Sequence, residues 1–201
     1  MKCIYLSIPL LFLFFACKDQ NPATTLASDN DTSNVASKES LYPYPQYIQA
    51  QINRLDSVQL GIEKVVYENG VKKDSGFISR EEFRQIATAF MVPDLNETKW
   101  RNEYEETSFR DLSLNTITFT IAAKNEKLPV QKADVLLNPD TQEVKYVMIK
   151  KEEKKDGYFE SSNLMWVNNM NFQIVTSRTG TDGKELKKLV KVTWDKPISN
   201  L

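Results

Sequence analysis

Histidine is absent from this sequence, and its 201 residues include only two cysteines, Cys3 and Cys17. Without imidazole groups, neither a Ser-His-Asp triad nor a Cys-His pair can be assembled, and zinc sites with imidazole ligands are excluded. The chain has only six glycines, and neither of the phosphate-binding motifs G-x-G-x-x-G and G-x-x-x-x-G-K-[ST] occurs in it. These absences remove most common enzyme classes, and we predict neither a cofactor nor a metal site.

Neither sign of charge dominates, since the chain has 26 basic and 27 acidic residues. A nearly neutral protein has no overall field that would attract nucleic acid. The lysine-rich runs at 150–155 and 184–191 are interrupted by glutamates or suit exposed strands, where lysines prevent edge-to-edge pairing. We therefore expect no nucleic-acid partner.

The first 16 residues have the features of a secretory leader. Lys2 is followed by an uncharged run from Cys3 to Ala16, which is shorter than the roughly 20 residues that a membrane-spanning helix needs. The junction Leu13-Phe14-Phe15-Ala16-Cys17 resembles the lipobox of bacterial lipoproteins. Ala16 and Cys17 match that pattern, while the two phenylalanines are bulkier than usual. We predict a signal peptide over 1–16 and a lipid anchor on Cys17.

Residues 17–40 are predicted to form the lipidated cysteine and a flexible tether. This stretch is rich in Asn, Asp, Ser, Thr and Ala, so it cannot bury enough apolar surface to offset its ordering entropy. About 23 flexible residues have a root-mean-square reach on the order of 25 Å. We expect a single globular domain over 41–201, extracytoplasmic in the cell envelope and held on a bacterial membrane, with the outer membrane as the expected one.

The predicted domain begins with a helix and a hairpin. Pro45 suits a first helical turn, and apolar residues recur at helical spacing to about Leu55. Val58 to Glu68 is predicted to be a strand. Asn69-Gly70 indicates a tight turn, and the return strand is predicted to extend to about Ile78.

A second helix is predicted to begin at a capping box, in which Ser79 and Glu82 have the required spacing. Its apolar stripe consists of Phe83, Ile86, Ala87, Phe90 and Met91. Pro93 is expected to end it. The following stretch, 99–110, fits either a helix or a strand.

Beyond Leu112 the apolar residues follow a period of two, which is typical of half-buried strands. The predicted strands include one long strand over 158–176, with Met170, Phe172 and Ile174 on one face. Short turns join these strands. The fold class is therefore predicted to be α+β, with an N-terminal helix pair and hairpin followed by an antiparallel β-meander that forms a curved sheet.

Carboxylate pairs are the remaining candidates for catalysis, since glycoside hydrolysis needs two of them. The adjacent pairs are Glu81-Glu82, Glu105-Glu106 and Glu152-Glu153. Residues that are neighbours in a strand point to opposite faces. We therefore interpret these glutamates as solvent-exposed residues at the edges of helices or strands, and we predict no catalytic residue.

A sugar-binding platform is a further candidate, built from the three tryptophans and a group of asparagines: Trp100, Trp166, Trp194, Asn168, Asn169 and Asn171. The strand alternation around Trp166 and Trp194 favours packing in the core instead.

The combined layout resembles small Bacteroidota lipoproteins of unknown function. The resemblance rests on the leader, the lipobox cysteine, the Asn/Ser/Thr-rich tether, the Asn69-Gly70 hairpin, the helix over 83–91, Trp100 and the strand-rich remainder. It implies a cell-envelope location and supplies no activity. The residue it carries over is Cys17.

Three hypotheses on function follow. The leading one is a non-enzymatic envelope module that binds a partner protein, an apolar ligand or a glycan on its sheet. The alternatives are a carboxylate-based hydrolase of envelope glycans and a half-barrel carrier of lipid or lipoprotein.

The anchor gives a direct test. Replacing Cys17 by serine removes the thiol that would receive lipid, so Cys17→Ser is expected to move the protein to the soluble envelope fraction or to block its processing. Cell fractionation with immunoblotting measures both. Normal cleavage with unchanged membrane retention would contradict the predicted anchor.

Overall fold

The structure, a computed structural model, describes residues 40–91 and 93–194, apart from the side chain of Asp56. The predicted leader, Cys17 and residues 18–39 lie outside the described residues. No helix within the described ranges has the length and apolar character that crossing a membrane requires.

The first helix, α1 (Tyr44–Ser57), has proline in its first turn, as predicted. The hairpin that follows consists of β1 (Glu63–Glu68) and β2 (Val71–Phe77). Its first strand begins later than predicted, because the Leu60 amide donates a hydrogen bond to the Val58 carbonyl (3.1 Å) and closes a tight turn. The predicted Asn69-Gly70 turn is confirmed, and both of its residues have positive φ.

The predicted capping box is confirmed at its N-cap, where the Glu82 amide donates to Ser79 Oγ (3.1 Å). The helix that it begins, α2 (Arg80–Ala87), continues as a 3₁₀ turn over Thr88–Phe90. The ambiguous stretch contains both elements that its sequence allowed: a short helix, α3 (Thr98–Arg101), and then a strand.

Seven further strands follow in the described part of the chain: β3 (Tyr104–Asp111), β4 (Thr116–Ala123), β5 (Val130–Leu137), β6 (Val144–Lys155), β7 (Tyr158–Val167), β8 (Asn171–Gly180) and β9 (Glu185–Thr193). They form an antiparallel meander, and the hairpin adds to it through β1, which pairs with β9. The order of the nine-stranded sheet is β2-β1-β9-β8-β7-β6-β5-β4-β3. The sheet is not closed, and β2 and β3 are its edges.

The architecture is therefore mostly β, with minor helices, and the predicted order of helix, hairpin, helix and meander is present. One predicted strand, over 158–176, is wrong. The chain turns at Asn168–Met170, where Asn169 adopts a φ of +55°, and thereby divides the segment into β7 and β8. Met170 consequently lies in the turn rather than beside Phe172 and Ile174.

The helices pack on one face of the sheet, called here the helix-covered face. Five aromatic side chains form the centre of this core: Phe83, Phe90, Trp166, Phe172 and Trp194. Ring centroids of Phe83 and Trp194 are 5.7 Å apart, and those of Phe90 and Trp166 are 5.2 Å apart. The ring contacts join α2 and the 3₁₀ turn to β7, to β8 and to Trp194, the residue that follows β9. The opposite, helix-free face bears side chains that alternate with the core residues along each strand.

The aromatic core predicts a large cost of truncation at Phe83, whose side chain is 0% exposed. Phe83→Ala is expected to lower the free energy of unfolding by about 3–5 kcal/mol, because it removes ring contacts and leaves a cavity. Phe77→Ala is the matched control, since Phe77 is 80% exposed, and it is expected to change stability by less than about 0.5 kcal/mol. Equal losses in urea denaturation would contradict this account of the core.

Candidate functional site

The three adjacent glutamate pairs do not form two-carboxylate sites. Glu105 and Glu106 lie on opposite faces of β3, and Glu152 and Glu153 lie on opposite faces of β6, as neighbouring strand residues must. In the first turn of α2, Glu82 binds Lys64 (2.6 Å) and Glu81 is exposed.

A carboxylate pair that is not adjacent in the sequence lies across β6 and β7. Glu153 and Glu160 are directly opposite each other on the helix-covered face, beyond the helices, and both line a depression of about 220 Å³. Lys155 Nζ lies 3.1 Å from Glu153 and 3.7 Å from Glu160, and Arg178 Nε donates to Glu160. Lys155, which both carboxylates share, and Arg178, which binds Glu160, balance the two charges, so the pair is explained as an ion network. A general acid needs a carboxyl without such partners.

A serine and a lysine also face this depression. Ser162 lies opposite Lys151, and burial lowers the pKa of Lys151. Both groups are engaged in structural contacts: Lys151 Nζ donates to the Ala89 carbonyl in the 3₁₀ turn, and Ser162 Oγ is 3.1 Å from Thr176 Oγ1. Capping of a helix end accounts for this partly buried lysine.

The proposed sugar platform is not assembled, and the prediction of core packing is confirmed for Trp166 and Trp194, which are buried. Two of the asparagines attach α1 to the β7–β8 turn. The Tyr47 hydroxyl donates to Asn168 Oδ1 (2.8 Å), and Arg54 Nη1 donates to Asn169 Oδ1 (2.9 Å).

The third asparagine, Asn171, has a buried Oδ1 atom that accepts no hydrogen bond among the described residues. Trp100 is partly buried against the core, and Lys99 Nζ lies 5.1 Å from its ring centroid. The tryptophans and asparagines thus serve the interior and its attachment to α1.

The helix-free face carries the candidate binding site. Two neighbouring rows of side chains cross the four central strands β5 to β8 on this face. One row is Asp134, Met148, Met165 and Gln173, and the second is Lys132, Lys150, Asn163 and Val175. We call these eight residues the sheet patch. Together they line a depression of about 420 Å³.

Three apolar side chains form the floor of the sheet patch. Met148 and Val175 are exposed and Met165 is half-buried. They lie on this face because each alternates with a core residue along its strand. Methionine adapts its shape to irregular apolar surfaces. Among the described residues, the side-chain amides of Asn163 and Gln173 make no hydrogen bond, so each offers a donor and an acceptor beside the floor.

The charged residues of the sheet patch are already paired along their own strands. Lys132 Nζ lies 2.9 Å from Asp134, and Lys150 Nζ lies 2.7 Å from Glu152. Thr120 Oγ1 also donates to Asp134 (2.6 Å). The site is therefore apolar and charge-balanced, with free amides. Within the described part of the chain, no group of three or more acidic residues is placed to hold a metal ion.

Glu106 is the one member of the predicted glutamate pairs that is buried, and its role is to hold the start of the domain. Its Oε2 accepts a hydrogen bond from the Tyr42 amide (2.5 Å). Burial raises the pKa of Glu106, while the hydrogen bond from Tyr42 and the charge of Arg101 partly oppose that rise. We call this buried carboxylate and its hydrogen bond with Tyr42 the latch, because the contact attaches the start of the domain to β3.

The sheet patch was not among the sites predicted from the sequence. A signal was present in the alternation: Met148 stands between Val147 and Ile149, and Met165 stands between Leu164 and Trp166. When two neighbouring strands carry apolar residues at both odd and even positions, each face of the sheet has an apolar area there.

The chain matches no protein-family model, no curated protein and no solved structure. Any assignment of function therefore rests on the geometry of the chain itself.

The buried latch predicts a pH-dependent stability. Because the pKa of Glu106 is higher in the folded state than in the unfolded chain, the folded state binds more protons just above pH 4.5, and stability falls as pH rises through that window. Glu106→Gln keeps an acceptor for the Tyr42 amide and removes the buried charge. We expect its stability relative to the parent to increase from pH 4 to pH 7.

Urea denaturation at both pH values measures this difference. Glu105→Gln is the control, because the neighbouring side chain is exposed on the opposite face. A relative stability of Glu106→Gln that falls with pH, or one that follows the control, would show that the latch carries no desolvation cost.

Proposed function

We propose that this chain is a non-enzymatic envelope lipoprotein that binds a partner protein through the sheet patch. The observation that carries the proposal is the contiguous floor of Met148, Met165 and Val175 on a face that the chain leaves uncovered. Contiguous exposed apolar area of this kind is typical of interaction sites. Free amides at its border suit the polar rim of a protein interface.

A protein partner fits this patch better than an acyl chain does. The depression is an open feature of the sheet surface, whereas sites that bury most of a small ligand are deep clefts. A half-barrel carrier would need an apolar cavity between the sheet and its helices. We infer that the sheet curves around α1 and α2, since large twisted sheets curl, but aromatic side chains such as Phe83 and Trp166 fill that side.

A glycan fits less well than a protein for a different reason. Sugar rings pack on aromatic faces, and the floor of the patch is built of methionine and valine. An inserted apolar side chain from a partner would find an adaptable surface there, and its backbone would meet the amides of Asn163 and Gln173.

The predicted anchor supports the same proposal. A lipid on Cys17 and a tether with a reach on the order of 25 Å would keep the domain beside the membrane and raise its effective concentration toward other envelope proteins. Binding at modest affinity is sufficient under those conditions.

Site-specific photo-crosslinking in cells tests the proposal. A benzoyl-phenylalanine placed at Asn163, at the border of the floor, is expected to give a discrete adduct with one envelope protein. The same residue at Gln85 is the control, because Gln85 is exposed on α2, which packs on the other face. Introducing Met148→Glu is expected to abolish the adduct by placing an unpaired charge in the interface.

The Met148→Glu side chain replaces an exposed methionine, so folding is expected to persist, and circular dichroism checks it. An adduct at Gln85 of equal yield, or an adduct at Asn163 that survives Met148→Glu in a folded protein, would contradict the assignment of the sheet patch.

A further inference from the structure

The turn between β3 and β4, residues 112–115, presents two leucines to solvent. Leu112 is 75% exposed and Leu114 is 69% exposed. Phe109, three residues before Leu112 on the helix-free face of β3, is also exposed. We call residues 112–115 the leucine turn. Large apolar side chains concentrated at one turn mark a surface that meets something apolar.

The leucine turn is held in a defined shape by hydrogen bonds. Asp111 Oδ1 accepts from the amides of Ser113 (2.9 Å) and Leu114 (3.1 Å), and also from the Ser113 hydroxyl (2.6 Å). Asn115 has a positive φ and donates from Nδ2 to Asp140 (2.6 Å) in the β5–β6 turn. The acidic groups at this place are thus engaged within the protein, and the leucines are fixed in their exposed positions.

Other exposed apolar residues lie at the same end of the sheet. Met170 is exposed in the β7–β8 turn, and Phe77 is exposed at the last position of β2. The strand register places these residues at the same end of the sheet. Phe77 of β2 lies opposite Glu63, the first residue of β1, and Phe109 of β3 lies opposite Thr118, near the start of β4. We call this the leucine end. Its exposed apolar residues lie at three places along the sheet: the end of β2, the β7–β8 turn, and the end of β3 with the leucine turn.

The described part of the chain begins beside the β3–β4 hairpin. Tyr42 stacks on Phe119 of β4 with ring centroids 5.2 Å apart, and its amide binds Glu106 of β3. Six residues separate Glu106 from Leu112, which corresponds to about 20 Å along a strand. A tether with a reach on the order of 25 Å therefore starts close enough to place the leucine turn at the bilayer that holds it.

We propose that the leucine turn inserts its two leucines into the bilayer to which the chain is tethered. The inference rests on the lipid anchor of the proposed function. Apolar side chains at the boundary between headgroups and acyl chains gain the stabilisation that amphipathic membrane-surface elements use. A tether makes the insertion intramolecular, so two leucines suffice to orient the domain.

A fluorescent probe on a single cysteine tests this contact in the full lipidated chain. Cys17 carries the lipid, so a cysteine introduced by Leu114→Cys is the one free thiol of the mature protein and accepts an NBD label. The probe chain is reconstituted into phosphatidylcholine vesicles with and without brominated acyl chains. Val71→Cys, labelled in the same way, is the control, because Val71 is 58% exposed at the opposite end of the sheet.

We expect brominated lipid to quench the probe at position 114 several-fold more than the probe at position 71. Adding Leu112→Ser to Leu114→Cys is expected to weaken the quenching without changing flotation with the vesicles. Flotation without quenching at 114, or equal quenching at both positions, overturns the insertion and leaves the anchor intact. A chain that does not float with vesicles overturns the anchor and the insertion together.

Discussion

Packing around Trp166 is the interaction on which the rest of this structure depends. Its ring contacts Phe90, Phe172 and Trp194, with centroids 5.2, 5.2 and 5.3 Å away. Each such aromatic side chain buries about 150–250 Å², so the cluster is where the helical segment meets the sheet. By drawing the helices to one face, it determines that the other face of the central strands stays open to water.

The separation of a helix-covered face from a helix-free face explains why the helix-free face carries mostly polar residues, and it makes the apolar residues there unusual. An antiparallel sheet can leave one face solvated if polar residues alternate with the core residues, and pairs such as Lys150–Glu152 meet this condition within single strands. Met148, Met165 and Val175 do not. Their adjacency across β6, β7 and β8 arises from the register. It concentrates apolar surface on the open face, where these side chains do not contribute to the core.

Local signals in the sequence predicted the local elements. The Asn69-Gly70 turn and the Ser79 cap depend on a few consecutive residues, and both are present. The β7–β8 turn was missed because it uses Asn169, without glycine or proline, for its positive φ. The sheet patch was not predictable residue by residue, since it requires the pairing of four strands, and register is a property of the assembled sheet.

The polar chemistry of the domain is largely committed to structure, which directs attention to its apolar surfaces. Glu153 and Glu160 share Lys155, Lys151 caps a helix end, and Asp111 holds a turn. The sheet patch and the leucine end, two of the exposed apolar areas among the described residues, lie on different parts of one sheet. In the proposed insertion, with the leucine end at the bilayer, the strands would extend away from the membrane and the sheet patch would face sideways. The orientation proposed for the leucines is thus compatible with the partner binding proposed for the sheet patch.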